Sequence, residues 1–201
     1  MTQYFKYGET ELNHLRKRDK KLGLAIDRIG IVQRKINPDL FSALIESIVG
    51  QQISNKAAVT VYRRLLDICN AEKLEIQTLN ELSVEAIQSC GMSMRKATYI
   101  KNISEAAANK TVDFDLLPQK TDAEIIKALT TIKGIGTWTV EMLLIFSLQR
   151  PNIVSYGDLA IRRGMMHVYG LKEIKKEQFQ RYAKRYAPYG SVASLYLWAL
   201  S

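Results

Sequence analysis

Asp158 stands in the run Tyr156-Gly157-Asp158, directly ahead of the helical pattern LAIRRGMMHVYG. A helix start favours negative charge. A carboxylate there can stabilise a cation that forms beside it and orient or deprotonate a water. An aspartate at a helix start is also the usual cap, so its surroundings must decide. Upstream, Lys133-Gly134-Ile135-Gly136-Thr137 puts two glycines two positions apart between two helical patterns. Two helices joined so tightly leave backbone N–H groups and a helix N-terminus facing outward, where they can bind a phosphate without a cationic side chain. Glycine allows positive φ and close backbone approach. Gly-x-Gly alone is equally the mark of an ordinary helix–helix corner.

Composition narrows the class. With 47% hydrophobic and 24% charged residues the chain of 201 residues is ordinary for a soluble globular protein, long enough for one domain or two small subdomains. No apolar run reaches membrane-span length, and the first residues lack the apolar stretch of a signal peptide. Cys69, Cys90, His14 and His167 are the only residues of their types. They are too few for a disulfide framework or a four-thiolate cluster and fit a zinc site poorly, so no metal ligands are expected. The net charge of +9 is unevenly spread. Residues 1–35 carry nine Lys and Arg against four Asp and Glu, residues 150–201 nine against three, and residues 36–149 eleven against thirteen. Two basic ends around a near-neutral middle suggest a polyanion partner.

The elements that would position these residues are helices. Asn37-Pro38 reads as a helix start leading into Leu40, Phe41, Leu44, Ile45, Ile48 and Val49, with Gly50 at the end. Ser54, Ser83 and Ser93 read as starts of further helices, and Thr121 with Glu124 as a capping box. Thr137 would cap the apolar helix TWTVEMLLIFSL, which Arg150-Pro151 ends. Asp158 starts the next, and two more run from about Lys175 to Tyr186 and from Ser191 to the C-terminus. No strand pair with a hairpin turn stands out. The expected fold is all-α, with about ten short helices.

Taken in order, the hairpin, the apolar helix, the Pro151 loop and Asp158 resemble the signature of the helix-hairpin-helix DNA glycosylase superfamily. Leu44-Ile45-Glu46-Ser47-Ile48-Val49-Gly50-Gln51-Gln52-Ile53-Ser54 is similar to its other strong motif, whose loop faces the damaged duplex. The ending from Tyr186 through Pro188, Gly190 and Ser191 to Trp198 resembles that of the alkylpurine, or 3-methyladenine, branch. The likeness covers about residues 20–201.

The resemblance implies two helical subdomains with a cleft between them. One is residues 37–154, carrying the hairpin at about 132–137; the other combines 1–36 with 155–201 and places Asp158 at the mouth of the cleft. Larger relatives carry an extra N-terminal β-containing domain, for which this chain is too short. The implied activity is base excision repair: hydrolysis of the N-glycosidic bond of an alkylated purine, of the 3-methyladenine or 7-methylguanine type, in double-stranded DNA. Asp158 would be the catalytic carboxylate. Lyase members hold a lysine early in the helix after the hairpin. That place is taken here by Trp138, which cannot form a Schiff base, and Lys133 lies inside the turn. Water is then the nucleophile and an abasic site in an intact strand the product. The iron–sulfur cluster of another branch needs four cysteines, which are lacking.

Alkylation at N3 or N7 makes the purine cationic, attractive to aromatic faces. Trp138, Met142, Tyr156 and Trp198 are the candidate pocket; each aromatic could equally be core or surface cover. The base must leave the stack, and Gln52 matches the position that fills the gap, although Gln51 and Gln52 could serve only their own backbone. DNA contacts are expected from Gln51, Gln52, Lys133, Gly134, Ile135, Gly136, Thr137, Arg162 and Arg163. The other basic residues near the C-terminus, Lys172 to Arg185, read by default as a solvated face. The resemblance implies no cofactor and is compatible with a monovalent cation on hairpin carbonyls. It implies a monomer acting on damaged duplex DNA, off the membrane and inside the cell: in cytoplasm or nucleoid of a prokaryote, in the nucleus of a eukaryote. A glycosylase for an oxidised or deaminated base, and a non-catalytic DNA-binding module, are the alternatives.

Overall fold

The computed structural model describes residues 2–201. In chain order the elements are β1 (Gln3–Tyr4), α1 (Glu9–Arg18), α2 (Lys20–Ile29), β2 (Lys35–Ile36), α3 (Leu40–Gly50), α4 (Asn55–Ile68), α5 (Ile76–Glu81), α6 (Val84–Ser89) and α7 (Met94–Ala108). A 3₁₀ turn at Leu117–Gln119 precedes α8 (Asp122–Leu129), α9 (Thr137–Phe146), α10 (Leu159–Tyr169), α11 (Lys176–Tyr186) and α12 (Gly190–Ala199). No helix among the described residues is long and apolar enough to cross a membrane.

Local chemistry sets most helix starts. Asp19, Asp39, Ser54, Ser83, Ser93, Thr121 and Asp158 each accept the backbone N–H three residues on, satisfying a donor that the first turn leaves without a helical partner. Thr121 and Glu124 complete the expected capping box. Two expected caps lie elsewhere. Asn37 is not the cap of α3: its side chain accepts the Asp39 N–H at 3.1 Å, and Asp39 caps the helix. Thr137 lies inside α9 as its first residue, and the Gly136 carbonyl accepts the Val140 N–H at 3.2 Å.

The elements exceed the expected ten. Beyond the segments read as helices, α1 and α2 occupy the N-terminal region and α5 fills the stretch before Ser83. There is also one strand pair: β1 and β2 run antiparallel, Gln3 opposite Ile36 and Tyr4 opposite Lys35. Two residues are too few to show alternation, and the strands are joined through α1 and α2 rather than by a turn.

The chain forms two compact units. One combines the N-terminal part to Ile36 with Leu144–Ser201; the other is Asn37–Leu143. The division falls inside α9, not at the 154/155 boundary read from the sequence. In the Asn37–Leu143 unit the apolar faces of α3 and α7 are buried, with Leu44, Ile45, Ile48, Ala97, Ile100 and Ile103 at zero exposure. Burying each large aliphatic contributes about 1.5–3 kcal/mol.

In the other unit α12 is buried from Gly190 to Leu197. Asp19 forms a buried polar node shared by α2, α10 and α11. Besides capping α2 it accepts the Tyr169 hydroxyl at 2.5 Å and an Arg185 N–H at 3.2 Å, and the Tyr169 and Tyr186 hydroxyls lie 2.9 Å apart. Burial pushes both phenols above their ordinary range. Helix α10, which Asp158 caps, presses on α12 at Gly164, where an added Cβ would run into the Leu197 carbonyl. A glycine inside a helix ordinarily costs about 0.5–1 kcal/mol relative to alanine. Here the order should reverse: Gly164→Ala is expected to lower folding stability by roughly 1–3 kcal/mol through overpacking. Urea unfolding followed by circular dichroism gives the sign; a more stable variant would show that the α10–α12 contact is not as tight as described.

Candidate active site

Asp158 is positioned by two elements of its unit. It is 7% exposed. Its carboxylate accepts the Ile161 N–H at 2.9 Å, and its carbonyl accepts the Arg162 N–H at 3.1 Å. The loop before it is tied to the start of α12. Ser191 Oγ accepts the Ile153 N–H at 3.0 Å and donates to the Arg150 carbonyl at 2.5 Å. Ser194 Oγ donates to the Ile153 carbonyl at 2.8 Å, the Ser191 N–H to the Pro151 carbonyl at 2.9 Å, and the Gly190 N–H to Asn152 Oδ1 at 3.2 Å. Where a loop is partly buried its backbone groups need partners. The two serines of the C-terminal motif do this, and so fix the approach to Asp158.

Around Asp158 the same unit places Tyr156 edge-on to Phe179, ring centroids 5.2 Å apart, with the Arg162 guanidinium 5.2 Å from its ring centre. Tyr156 already carries a cation on its ring. Arg162 is correspondingly not part of an open basic face: it is half-buried and its Nε lies buried without a hydrogen-bond partner, whereas Arg163 is exposed. Arg185, expected on a solvated face, is paired with Asp19, which raises its pKa. Trp198 is half-buried and packs on Phe146, centroids 5.3 Å apart. Phe146 was not singled out from the sequence. Its place four residues after Met142 and eight after Trp138, at helical spacing, was the available signal.

The hairpin belongs to the other unit. Its apolar residues turn inward: Ile132 is 5% and Ile135 6% exposed. The Ile135 N–H donates to the Ile132 carbonyl at 3.0 Å, so Ile135 serves the turn itself and its expected part in binding DNA is not that of a phosphate donor. Gly134 has φ +104, and its Cα faces the ring of Tyr99 so closely that an added Cβ would collide with it. Asn102 Nδ2 donates to the Lys133 carbonyl at 3.3 Å. Gly136 differs: an added Cβ would meet nothing within 4 Å and its φ is not positive, so neither backbone strain nor internal packing requires glycine there. Lys133, Gly136, Thr137 and Trp138 form an exposed ridge at the start of α9, Trp138 at 41% exposure, and Met142 is half-buried. The first-turn N–H groups of α9 point out of the helix end with no intrahelical carbonyl to meet them.

Gln51 and Gln52 lie in the same unit, in a turn between α3 and α4. Gln51 has φ −56 and ψ 128, Gln52 has φ +57, and the Ile53 N–H approaches the Gly50 carbonyl at 3.5 Å. These are type II angles, with glutamine in the third place where glycine is usual. Both Gln52 and Ile53 are exposed. Among the described residues no group of three or more His, Cys, Asp or Glu gathers as a metal site, and Cys69 and Cys90 are buried free thiols whose burial raises their pKa. The sequence-derived candidates thus divide: Asp158, Tyr156, Arg162, Arg163 and Trp198 in one unit, the hairpin, Trp138, Met142, Gln51 and Gln52 in the other.

Known proteins resemble this chain in sequence and fold. Residues 45–188 match the family described as HhH-GPD superfamily base excision DNA repair protein. DNA-3-methyladenine glycosylase 1 of Schizosaccharomyces pombe is 35% identical over 80% of this chain and 72% of its own length. The crystal structure of a DNA-3-methyladenine glycosidase from Bacillus halodurans superposes with a TM-score of 0.87 at 36% identity, over 98% of this chain and 91% of that one. A Schizosaccharomyces pombe 3-methyladenine DNA glycosylase in complex with abasic DNA gives 0.83 at 30% identity, over 94% and 95%.

The two hairpin glycines should answer differently to alanine. Gly134→Ala forces a side chain into positive φ and into the Tyr99 ring, and is expected to cost at least about 1–3 kcal/mol of stability. Gly136→Ala should stay within about 0.5 kcal/mol of wild type. Denaturant unfolding of the two variants checks this, and equal losses would refute the distinction.

Proposed function

The chain belongs to the HhH-GPD superfamily of base excision DNA repair proteins, and from that premise we propose that it is a monofunctional DNA glycosylase that releases alkylated purines from duplex DNA. The observation that carries the reading is Asp158. Its carboxylate is held at the start of α10 by the Ile161 N–H, downstream of a hairpin whose following helix, α9, contains no lysine. The relatives named for 3-methyladenine support the alkylpurine substrate.

The chemistry suits the residues. A purine alkylated at N3 or N7 carries a positive charge and departs with the electron pair of its glycosidic bond, so no strong general acid is needed. The sugar left behind develops cationic character at the carbon that held the base. Asp158 stabilises that charge and takes a proton from the water that adds to it, leaving an abasic site in an unbroken strand. Trp138 and Met142 in one unit, and Trp198 with Phe146 packed against it in the other, are the aromatic and apolar surfaces suited to a cationic base. Tyr156, whose ring bears Arg162, contributes to that wall by its edge and by packing. The N–H groups at Gly136 and Thr137 hold a phosphate, with Lys133 beside them, and Gln52 fills the space of the extruded base. The enzyme works as a monomer on genomic DNA inside the cell.

Asp158→Asn separates catalysis from folding, because the amide oxygen can still accept the Ile161 N–H and keep α10 capped. Single-turnover release of 7-methylguanine from a duplex is expected to fall at least about a hundredfold. Affinity for a duplex with a stable abasic analogue should stay within a few-fold of wild type. Release within a few-fold of wild type would remove Asp158 from the reaction.

A further inference from the structure

The turn that carries Gln52 is shaped by a residue outside it. Type I and type II turns share their ends and differ in the central peptide, which is turned over between them. In type I the third residue has negative φ, comfortable for glutamine; in type II it has positive φ, which is strained for a residue that bears a side chain. A Gly-Gln-Gln-Ile sequence should therefore prefer type I, yet Gln52 has φ +57. The amine of Lys96 supplies the reason. Its Nζ donates to the Gln51 carbonyl at 2.5 Å, the carbonyl of that central peptide, and to the Val49 carbonyl at 2.8 Å, near the C-terminus of α3. In the turned-over peptide of type I the Gln51 oxygen would point away from this amine.

Lys96 occupies this place against its own preferences. It lies in the first turn of α7, its N–H on Ser93 Oγ at 3.4 Å, at the helix end where a positive charge is disfavoured. It is half-buried, and burial holds its amine below the ordinary lysine range. What it gains is the carbonyl-rich end of α3 and two charge-assisted hydrogen bonds. Three and six residues further along the same helix, Tyr99 seats Gly134 and Asn102 holds the Lys133 carbonyl.

We propose that Lys96 is a positioning residue that locks the Gly50–Ile53 turn in its type II form and so aims Gln52 at the DNA stack, acting through the Gln51 peptide rather than on the base. The inference rests on the reading of Gln52 as the side chain that fills the vacated space. Its signature is a defect in exposing the base, not in cleaving it. The test uses duplexes with one 7-methylguanine, either paired with cytosine or opposite an abasic analogue, where less pairing must be broken. Single-turnover release is measured alongside the fluorescence of a neighbouring 2-aminopurine.

Lys96→Met should slow release from the paired duplex about ten- to a hundredfold, the scale of one hydrogen bond to a charged group, with weakened 2-aminopurine fluorescence. Release from the unpaired duplex should stay within a few-fold, and Lys96→Arg should recover most of the loss. In a Gln52→Gly background, Lys96→Met should add nothing. If Gln52→Gly is slow but Lys96→Met matches wild type, the role of Lys96 is overturned while that of Gln52 stands. If Gln52→Gly itself matches wild type, the reading of the turn fails and the proposal with it. Equal slowing on both duplexes, additive with Gln52→Gly, would show a merely structural tie and overturn the proposal as well. Should Lys96→Met not fold, Lys96→Arg against Lys96→Gln makes the same comparison.

Discussion

The contact between the bare Cα of Gly134 and the ring of Tyr99 is the constraint around which the Asn37–Leu143 unit is arranged. A hairpin that offers backbone N–H groups outward cannot also satisfy them inward, so its shape has to be set from behind. Tyr99 does this sterically, and Asn102 does it by a hydrogen bond to the Lys133 carbonyl. The buried side chains of Ile132 and Ile135 anchor the turn on its inner side. Because α7 also carries Lys96, one helix backs both the hairpin and the Gly50–Ile53 turn.

The unit of Asp158 solves the same problem with different chemistry. The loop at 150–154 is irregular and partly buried, and Ser191 and Ser194 of α12 meet its carbonyls and an N–H. Gly164 then lets α10, the helix that Asp158 caps, lie close against α12, which is buried from Gly190 to Leu197. In both units the candidate residues sit on a loop or helix start, with a buried helix behind them. The substrate chemistry allows such economy. A cationic purine is already a good leaving group and needs no strong general acid.

Much of this was legible in the sequence because the signals are local. Ser54, Ser83, Ser93, Thr121 and Asp158 mark helix starts by short-range hydrogen bonds. What escaped was non-local or too short for a period. Lys96 looks like an ordinary surface lysine until Val49 and Gln51, far away in sequence, are brought to it. Gly134 and Gly136 read alike, and only the packing of Tyr99 tells them apart. Arg162, expected at the DNA, and Arg185, read as a solvated charge, fold back onto Tyr156 and Asp19, which periodicity cannot reveal. The two-residue strands β1 and β2 carry no pattern at all, and α1 is a charged segment with only Leu12 and Leu15 as apolar markers, whereas Leu22, Ile26 and Ile29 give α2 a helical pattern that was open to reading.

The most direct test of the account is product analysis on methylated duplex DNA. The protein is incubated with the duplex, the small-molecule fraction is resolved by chromatography, and the strands are run on a denaturing gel before and after alkali. The account predicts free 3-methyladenine and 7-methylguanine, strands that break only after alkali, and no enzyme–DNA adduct trapped by borohydride. Strand breaks without alkali, together with a trapped adduct, would contradict the water mechanism. Absence of any released base from a folded, DNA-binding protein would contradict the activity itself.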